Sequence, residues 1–320
     1  MRFARILPAA LLGAAACAPA GPPASGVNPR LHIVDPPAGR ALTENFPPPR
    51  EPTEPVRRAV FDAINRDRAA EGRASVAWDE GAARVAESFC AAQISEKTRG
   101  HFLRDGVPPY ARTGLAGVFG YQAENSAAWS TTSPTFPDTP MDLALGAHRS
   151  MLAETPPEDG HRLTMLDPLA THVGVGWAMA GGRFQIAQEF LARGLDRLTL
   201  ATDPSAKALR VSGAARSPLR LDFVTIAREP LPARLTREEA NARTSYKYPA
   251  AAEAYVAEGR VQMRVSGMVT LDKIHLGRDR DFSFTFAPTE PGLFTIVFWV
   301  SRKGDDRPRP GGSAVVRAEA

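Results

Sequence analysis

Two histidines and two glutamates are the residues of this 320-residue sequence best suited to bind a metal ion or to act as a general base. His101 and His161 each follow a glycine, and Glu124 and Glu154 lie between them along the chain. Neutral imidazole nitrogens bind Zn²⁺ or another divalent cation, with carboxylates as further ligands or as acceptors that orient the rings. A histidine–glutamate pair can instead act as a general base on a water molecule. The spacing alone leaves both chemistries open.

The composition is that of an ordinary globular protein. Hydrophobic residues make up 43% of the chain and charged residues 23%, which excludes wholesale disorder. Two cysteines are too few for a disulfide framework or a multi-cysteine zinc site. The formal net charge of +4 comes from scattered arginines rather than a basic run, so we predict no nucleic-acid partner.

Residues 1–16 have the pattern of a signal peptide. Arg2 and Arg5 precede an apolar stretch that is too short to span a bilayer. The stretch ends in a lipobox-like sequence that would make Cys17 the lipidated first residue, whereas residues 18–20 offer a site for ordinary cleavage. We therefore expect an exported protein, either a cell-envelope lipoprotein of the outer membrane or periplasm or an extracellular protein. Membrane contact is expected only through the signal or the lipid anchor.

The next two segments are a linker and the start of a helical region. Residues 17–52 are rich in proline and lack a hydrophobic period, which predicts a semi-rigid linker. Apolar residues then recur at helical spacing after Thr53, a candidate N-cap, and again over residues 82–94. Cys90 lies on the apolar face of this second helix, so we expect a buried free thiol.

The rest of this region mixes helix and strand. Residues 98–140 predict a long irregular segment broken by a short helix, and residues 141–154 predict a third long helix. From Val173 the apolar period changes to two, and a Gly181-Gly182 turn separates two alternating runs, as in an antiparallel hairpin. Helices followed by a hairpin indicate an α+β domain over residues 53–194.

Residues 195–320 predict a second, all-β domain. Apolar and polar residues alternate over residues 219–223, 261–265 and 282–286, and residues 293–300 form a nearly continuous apolar strand. Thr236 and Glu239 have the spacing of a capping box for one short helix. Several short strands separated by turn signals favour a β-sandwich-like fold.

Motifs between residues 56 and 193 resemble the CAP superfamily, which comprises cysteine-rich secretory, antigen 5 and pathogenesis-related proteins and is also called the SCP domain. The resemblance is to its secreted bacterial branch. The motifs, in chain order, are Asn65-x-x-Arg68, Val76-x-Trp78-Asp79, Gly100-His101-Phe102, Ala123-Glu124-Asn125, Gly160-His161-Arg162, Val173-Gly174-Val175-Gly176 and Gln188-Glu189-Phe190. The resemblance implies an α-β-α sandwich around a small antiparallel sheet, followed here by the β-sandwich-like domain.

The resemblance also implies a ligand cleft lined by two histidines and two glutamates. They correspond to His101, Glu124, Glu154 and His161, although Ala123 replaces the usual glycine of the motif around Glu124 and Glu158 lies close to Glu154. His101 and His161 are the expected ligands of Zn²⁺ or another divalent cation. The family's structural disulfides have no counterpart in this sequence.

Three functions remain open at this point. The cleft could bind a lipid, another small hydrophobic molecule or an anionic ligand without catalysis, as the resemblance implies for some members. The β-sandwich-like domain could instead be an adhesion module that binds a cell-envelope polymer. A metal-dependent or His/Glu-dependent hydrolase, for example a protease, is the third possibility, but the sequence has neither a Gly-x-Ser-x-Gly nor a His-Glu-x-x-His motif. We therefore favour a binding protein over an enzyme.

Overall fold

A computed structural model describes residues 31–36, 39, 41–44, 51–251, 253–257, 269–276, 280–302, 304–305 and 307–320. The predicted signal peptide, Cys17, most of the predicted linker and the strand predicted at residues 261–265 lie outside these ranges. Within the described residues no helix is long and apolar enough to cross a membrane.

The first region of the fold has three layers, helix on sheet on helix. Its helices are α1 (Pro55–Ala70), α2 (Glu80–Glu96), α3 (Pro109–Leu115), α4 (Pro140–Leu152) and α5 (Gly160–Met165). Its strands are β3 (Ala77–Trp78), β4 (Tyr121–Ser130), β5 (His172–Ala180) and β6 (Arg183–Ala192), in the sheet order β3-β5-β6-β4. Helices α1 and α4 pack on one face of the sheet, and α2 packs on the other. The predicted α-β-α sandwich is confirmed.

Two glycines on β5 let α2 lie directly against the sheet. A Cβ atom at Gly174 would meet the backbone nitrogen of Ala83 at 2.1 Å, and one at Gly176 would meet that of Glu87 at the same distance. Val173 and Val175 alternate with them and point into the core on the opposite face. The Val-Gly-Val-Gly motif therefore encodes one apolar face and one face open to close backbone approach.

Polar contacts at the ends of the helices fix the adjoining loops. The N-cap of α1 is Glu54 rather than Thr53, and its carboxylate accepts hydrogen bonds from the backbone nitrogens of Val56 and Arg57. Near the other end of α1, the buried Arg68 donates to backbone carbonyls of the loop segments around it. These acceptors are the carbonyl oxygens of Ala74, Met165, Asp167 and Ala170. One arginine thus ties together the loops before β3 and β5.

The second region is rich in strands, as predicted. It contains β7 (Leu195–Thr202), β8 (Leu209–Ala215), β9 (Leu219–Glu229), β10 (Glu253–Ala257), β11 (Val269–Leu276), β12 (Asp281–Phe286), β13 (Gly292–Arg302) and β14 (Arg309–Glu319). With β1 (His32–Asp35) and β2 (Ala41–Glu44) they form a ladder in the order β1-β14-β13-β9-β10-β11-β12-β8-β7-β2. Apolar side chains from both halves of the ladder share one core, so the halves face each other as in a sandwich.

Strands β1 and β2 correct part of the predicted linker. Strand β1 pairs with β14 and β2 pairs with β7, at opposite ends of the ladder. Leu31 and Ile33 belong to the shared core. These pairings cover the outer edges of β14 and β7. A proline-rich segment without a long hydrophobic period still supplied two four-residue strands, because edge strands need few buried side chains.

A connecting segment from the second region returns to the first. Helix α6 (Arg237–Ala242) begins with the predicted capping box of Thr236 and Glu239. The segment around it contacts the loop after α2: Arg99 donates its backbone N–H to Asn241, and Leu235 donates to the carbonyl of Arg104. The two regions are therefore in direct contact at this loop.

Candidate functional site

His101 and Glu124 form the buried half of the candidate site. His101 lies in the loop after α2, and Glu124 lies on β4, within the segment where we predicted irregular structure. The Nδ1 atom of His101 is 2.8 Å from Oε1 of Glu124, and the other carboxylate oxygen accepts from the guanidinium of Arg112 on α3. The Glu124 side chain is fully buried, so this arginine supplies the charge that balances it.

Burial and charge keep the His101 ring neutral. Loss of hydration, reinforced by the positive charge of Arg112, lowers the pKa of His101 from 6.5 to about 4. With Nδ1 donating to Glu124, the second ring nitrogen, Nε2, carries the lone pair. A neutral imidazole in this tautomer is the form that binds a metal ion.

Glu189 adds a second buried carboxyl group beside Glu124. The two residues are directly opposite each other in the β4–β6 pair, and the Glu189 side chain accepts from Nε2 of Gln122 at 2.5 Å. Burial and the neighbouring charge of Glu124 raise the pKa of Glu189 well above its usual range. This shift favours the protonated, uncharged form of Glu189 beside the Glu124 carboxylate.

His161 and Glu154 form the more exposed half. His161 lies in the first turn of α5, and Glu154 lies just beyond the end of α4. One Glu154 oxygen is 2.5 Å from Nδ1 of His161, and the other accepts from the backbone nitrogen of His161 at 3.0 Å. The glutamate therefore holds both the ring and the backbone of the histidine. Glu158, the neighbouring alternative, also borders the cavity.

The structure brings His101, Glu124, Glu154 and His161 to one open cavity of about 870 Å³. The centres of the two imidazole rings are 6.3 Å apart, with the ring planes inclined by 38°. Asn125, next to Glu124, donates from its amide to the carbonyl of His161 at 3.0 Å and so links β4 to α5. The four predicted cleft residues thus form two matched pairs, and in each pair a glutamate carboxylate contacts Nδ1 of the histidine.

The two imidazole rings are the groups of this cavity that could hold a metal ion. Both carboxylates are already bonded to Nδ1 atoms, so they orient the rings rather than extend toward an ion. Among the described residues, no group of three or more histidine, cysteine or acidic side chains is arranged to hold a metal ion. An ion at this position would have the two Nε2 atoms as ligands and its remaining positions open.

The structure adds residues to the site that the motifs did not single out. Arg112 and Tyr246 are in no motif, and Glu189 lies in the Gln188-Glu189-Phe190 motif without a role assigned to it. Outside the site, His148 on α4 is buried and bonded through Nε2 to Asp67 on α1 at 2.8 Å. Its position on the apolar face of α4, beside Ala144 and Ala147, was a usable signal for that burial.

Comparison with known proteins identifies the first region. The CAP model, described as the cysteine-rich secretory protein family, matches residues 61–190. No curated protein matches the chain.

Three bacterial structures illustrate the similarity. An extracellular protein containing a SCP domain from Bacillus anthracis is 22% identical, with a TM-score of 0.36 and alignment over 43% of this chain and 41% of that protein. An outer surface protein of Borrelia burgdorferi is 14% identical, with a TM-score of 0.36, and the alignment covers 44% of this chain and 96% of that protein. A cysteine-rich secretory protein of Staphylococcus aureus is 16% identical, with a TM-score of 0.28, and the alignment covers 44% of this chain and 41% of that protein. This chain therefore spans less than half of the Bacillus and Staphylococcus proteins.

The matched residues contain α2 to α5, strands β3, β4 and β5, most of β6, and both histidine–glutamate pairs. The family match and the order of the motifs thus agree on the same segment. This chain carries a domain of the CAP family in residues 61–190.

Proposed function

We propose that the cavity binds a divalent metal ion, Zn²⁺ or a similar cation, through Nε2 of His101 and Nε2 of His161, and that the ion in turn holds a small anionic ligand. The observation that carries the proposal is the matched arrangement of the two rings, each with Nδ1 bonded to a glutamate. When bound, the ion would supply a positive charge for the ligand. The protein's contribution is to orient both rings through their Nδ1 contacts and to keep the His101 ring neutral.

The lining of the cavity supports a small anionic ligand. A volume of about 870 Å³ lies within the range of small-molecule sites. Lys247 borders the cavity with an exposed side chain, and Tyr121 and Tyr246 add aromatic surface to its wall. A cationic side chain beside aromatic surface suits a molecule with one anionic group and an apolar portion.

The chemistry of the site supports binding rather than catalysis. Nδ1 of each ring is bonded to a glutamate, so Nε2 is the nitrogen that could act as a base, and among the described residues no hydroxyl or thiol is hydrogen-bonded to Nε2 of His101 or His161. The lowered pKa of His101 makes it a weak base toward water. Cys90 is fully buried, and burial raises the pKa of its thiol well above the usual value, which disfavours the reactive thiolate.

Calorimetric titration of the full chain with Zn²⁺ tests this proposal. We expect one binding site per chain in the wild-type protein, and loss of that site in a His101→Ala/His161→Ala variant, because both nitrogen ligands are then removed. His275→Ala is the matched control, since this histidine is exposed on β11, in the β-rich region. Metal removal should leave the protein folded, because the apolar core rather than coordination holds the CAP domain together.

Two outcomes would contradict the proposal. Equal Zn²⁺ binding by the wild type and the double histidine variant would place the ion elsewhere. Zn²⁺-dependent hydrolysis of peptides or esters by the wild type, lost in the double variant, would make the site catalytic.

We also propose that the protein is exported and attached to the cell envelope through a lipid on Cys17. The proposal rests on the lipobox-like end of the apolar stretch, which lies outside the described residues. We expect the wild type in the membrane fraction and a Cys17→Ser variant in the soluble fraction after cell disruption, because a bacterial lipoprotein is held by several acyl chains. A Cys90→Ser variant, which alters the buried thiol only, should fractionate like the wild type. Identical fractionation of the wild type and Cys17→Ser would exclude lipid attachment at this residue.

A further inference from the structure

Residues 244–248, which follow α6, form one wall of the candidate site although they lie outside the CAP match. Four of the chain's five tyrosines meet at this wall. Tyr248 stacks between Tyr110 and Tyr121 with ring centres 4.5 and 4.3 Å away, and Tyr246 lies 6.3 Å from Tyr110. The wall is therefore a packed aromatic cluster to which α3, β4 and this segment all contribute.

Two hydroxyl groups of the wall bond the outer edge of β4. This strand is at the end of the smaller sheet, so alternate backbone N–H groups point away from its partner β6. The N–H of Glu124 donates to the hydroxyl of Tyr246 at 2.6 Å, and the N–H of Gln122 donates to that of Tyr248 at 2.8 Å. The two-residue spacing of the tyrosines thus matches the two-residue spacing of the outward N–H groups.

Tyr246 also contacts His101 directly, since its ring meets the His101 ring edge-on with the ring centres 5.0 Å apart. Its hydroxyl lies 3.5 Å from Oε1 of Gln122, whose amide nitrogen donates to Glu189. Burial raises the pKa of Tyr246 well above its usual value, so the phenol stays neutral and can accept from one group while donating to another. One side chain from outside the CAP match therefore touches His101, the backbone of Glu124 and the side chain that bonds Glu189.

We propose that Tyr246 is a positioning residue for the His101–Glu124 pair, so that the metal-binding strength of the site depends on a segment outside the CAP domain. The hydroxyl holds the Glu124 backbone, and the ring limits rotation of the imidazole. The carboxylate then meets Nδ1 in the orientation that leaves Nε2 as the lone-pair nitrogen. The expected change in metal affinity rests on the proposed function. The expected change in the orientation and tautomer of His101 does not require a metal.

Tyr246→Phe and Tyr248→Phe are the matched pair of variants that test it. Each removes one hydroxyl that accepts from an outward N–H of β4 and keeps the aromatic ring. Of these two tyrosines, Tyr246 is the one whose ring contacts the His101 ring and whose hydroxyl accepts from the backbone N–H of Glu124. A purely structural role would give both variants the same effect on the site. Thermal unfolding of both variants verifies that they are folded.

The first measurement is nitrogen NMR of histidine-labelled full-length protein without metal. The wild type should show His101 with a protonated Nδ1 and a lone pair on Nε2. We expect Tyr246→Phe to shift the His101 signals toward a mixture of tautomers, because the orientation of the Nδ1 contact is lost, while Tyr248→Phe leaves these signals as in the wild type. Unchanged His101 signals in Tyr246→Phe, or equal changes in the two variants, would overturn the proposal.

The second measurement is Zn²⁺ affinity by calorimetry. Loss of a group that orients a metal ligand lowers metal affinity by roughly 10-fold to 100-fold, and we expect about 10-fold for Tyr246→Phe against less than about 2-fold for Tyr248→Phe. If the wild type binds no Zn²⁺ but its His101 signals still respond selectively to Tyr246→Phe, the metal proposal fails and the positioning role stands. If the wild type binds Zn²⁺ and the two variants bind it equally, the positioning role fails and the metal proposal stands.

Discussion

Replacing Gly176 with alanine is expected to lower the free energy of unfolding by roughly 3 kcal/mol or more, because an added methyl group has no space between β5 and α2. The new Cβ atom would be 2.1 Å from the backbone nitrogen of Glu87 and 2.4 Å from the carbonyl carbon of Ala86. Backbone atoms in the middle of a helix cannot move aside singly, so the whole helix must shift. Urea unfolding followed by circular dichroism measures the change.

Gly160→Ala is the control for this prediction. A Cβ atom at Gly160 has no neighbour within 4 Å, and the residue lies in the first turn of α5. Alanine has a higher helix propensity than glycine, so we expect a change within about 1 kcal/mol in either direction. Similar stability of Gly176→Ala and Gly160→Ala would mean that α2 does not lie as close to β5 as the structure places it.

Replacing Arg112 with alanine is expected to destabilise the protein by about 3–5 kcal/mol, because it leaves the buried Glu124 carboxylate without its cationic partner. The Arg112 side chain is 13% exposed and that of Glu124 is 0% exposed, so water cannot replace the lost interaction. The guanidinium also lies over the Phe89 ring, 3.7 Å from its centre. Urea unfolding again provides the measurement.

A second variant separates the charge effect from lost packing. In Arg112→Met/Glu124→Gln both charges are removed and much of the side-chain volume is kept, so the double variant should be more stable than Arg112→Met alone. Arg197→Ala is the surface control, because Arg197 and Asp281 pair with side chains 48% and 50% exposed, and we expect a loss within about 1 kcal/mol. If Arg112→Met and the double variant were equally unstable, the uncompensated charge of Glu124 would not be the cause.

The spacing of apolar residues predicted the helices and strands that bury one continuous apolar face. Helix α2 and the β5–β6 hairpin match the predicted segments because their apolar residues recur at intervals set by local geometry. Strand β4 was missed, since it lies within a segment whose glycines, prolines and small polar residues favour irregular structure. Its pairing with β6, and not its own composition, makes it a strand.

The resemblance to the CAP superfamily, which the order of the motifs carries, predicted which side chains line the cleft. His101, Glu124, Glu154 and His161 were identified in this way, and the glycines of the β5 motif have an equally local meaning. Only the tertiary structure decided how each ring is paired, because Nδ1 contacts depend on side-chain orientation rather than on spacing.

Tertiary structure alone also decided which distant groups complete the site. Tyr246 is 122 residues from Glu124, and Glu189 is 67 residues from Gln122. A single sequence shows the hydrophobic period of a segment, but it does not show which backbone N–H groups of a distant edge strand point away from its sheet partner. Strands β1 and β2 illustrate the same limit, since their place in the ladder follows from the open edges of β14 and β7. The sequence by itself therefore determined the long helices and the hairpin, because their apolar periods are local, and its resemblance to a known family indicated the cleft residues. The partners of these residues were decided only by folding, because they lie far away along the chain.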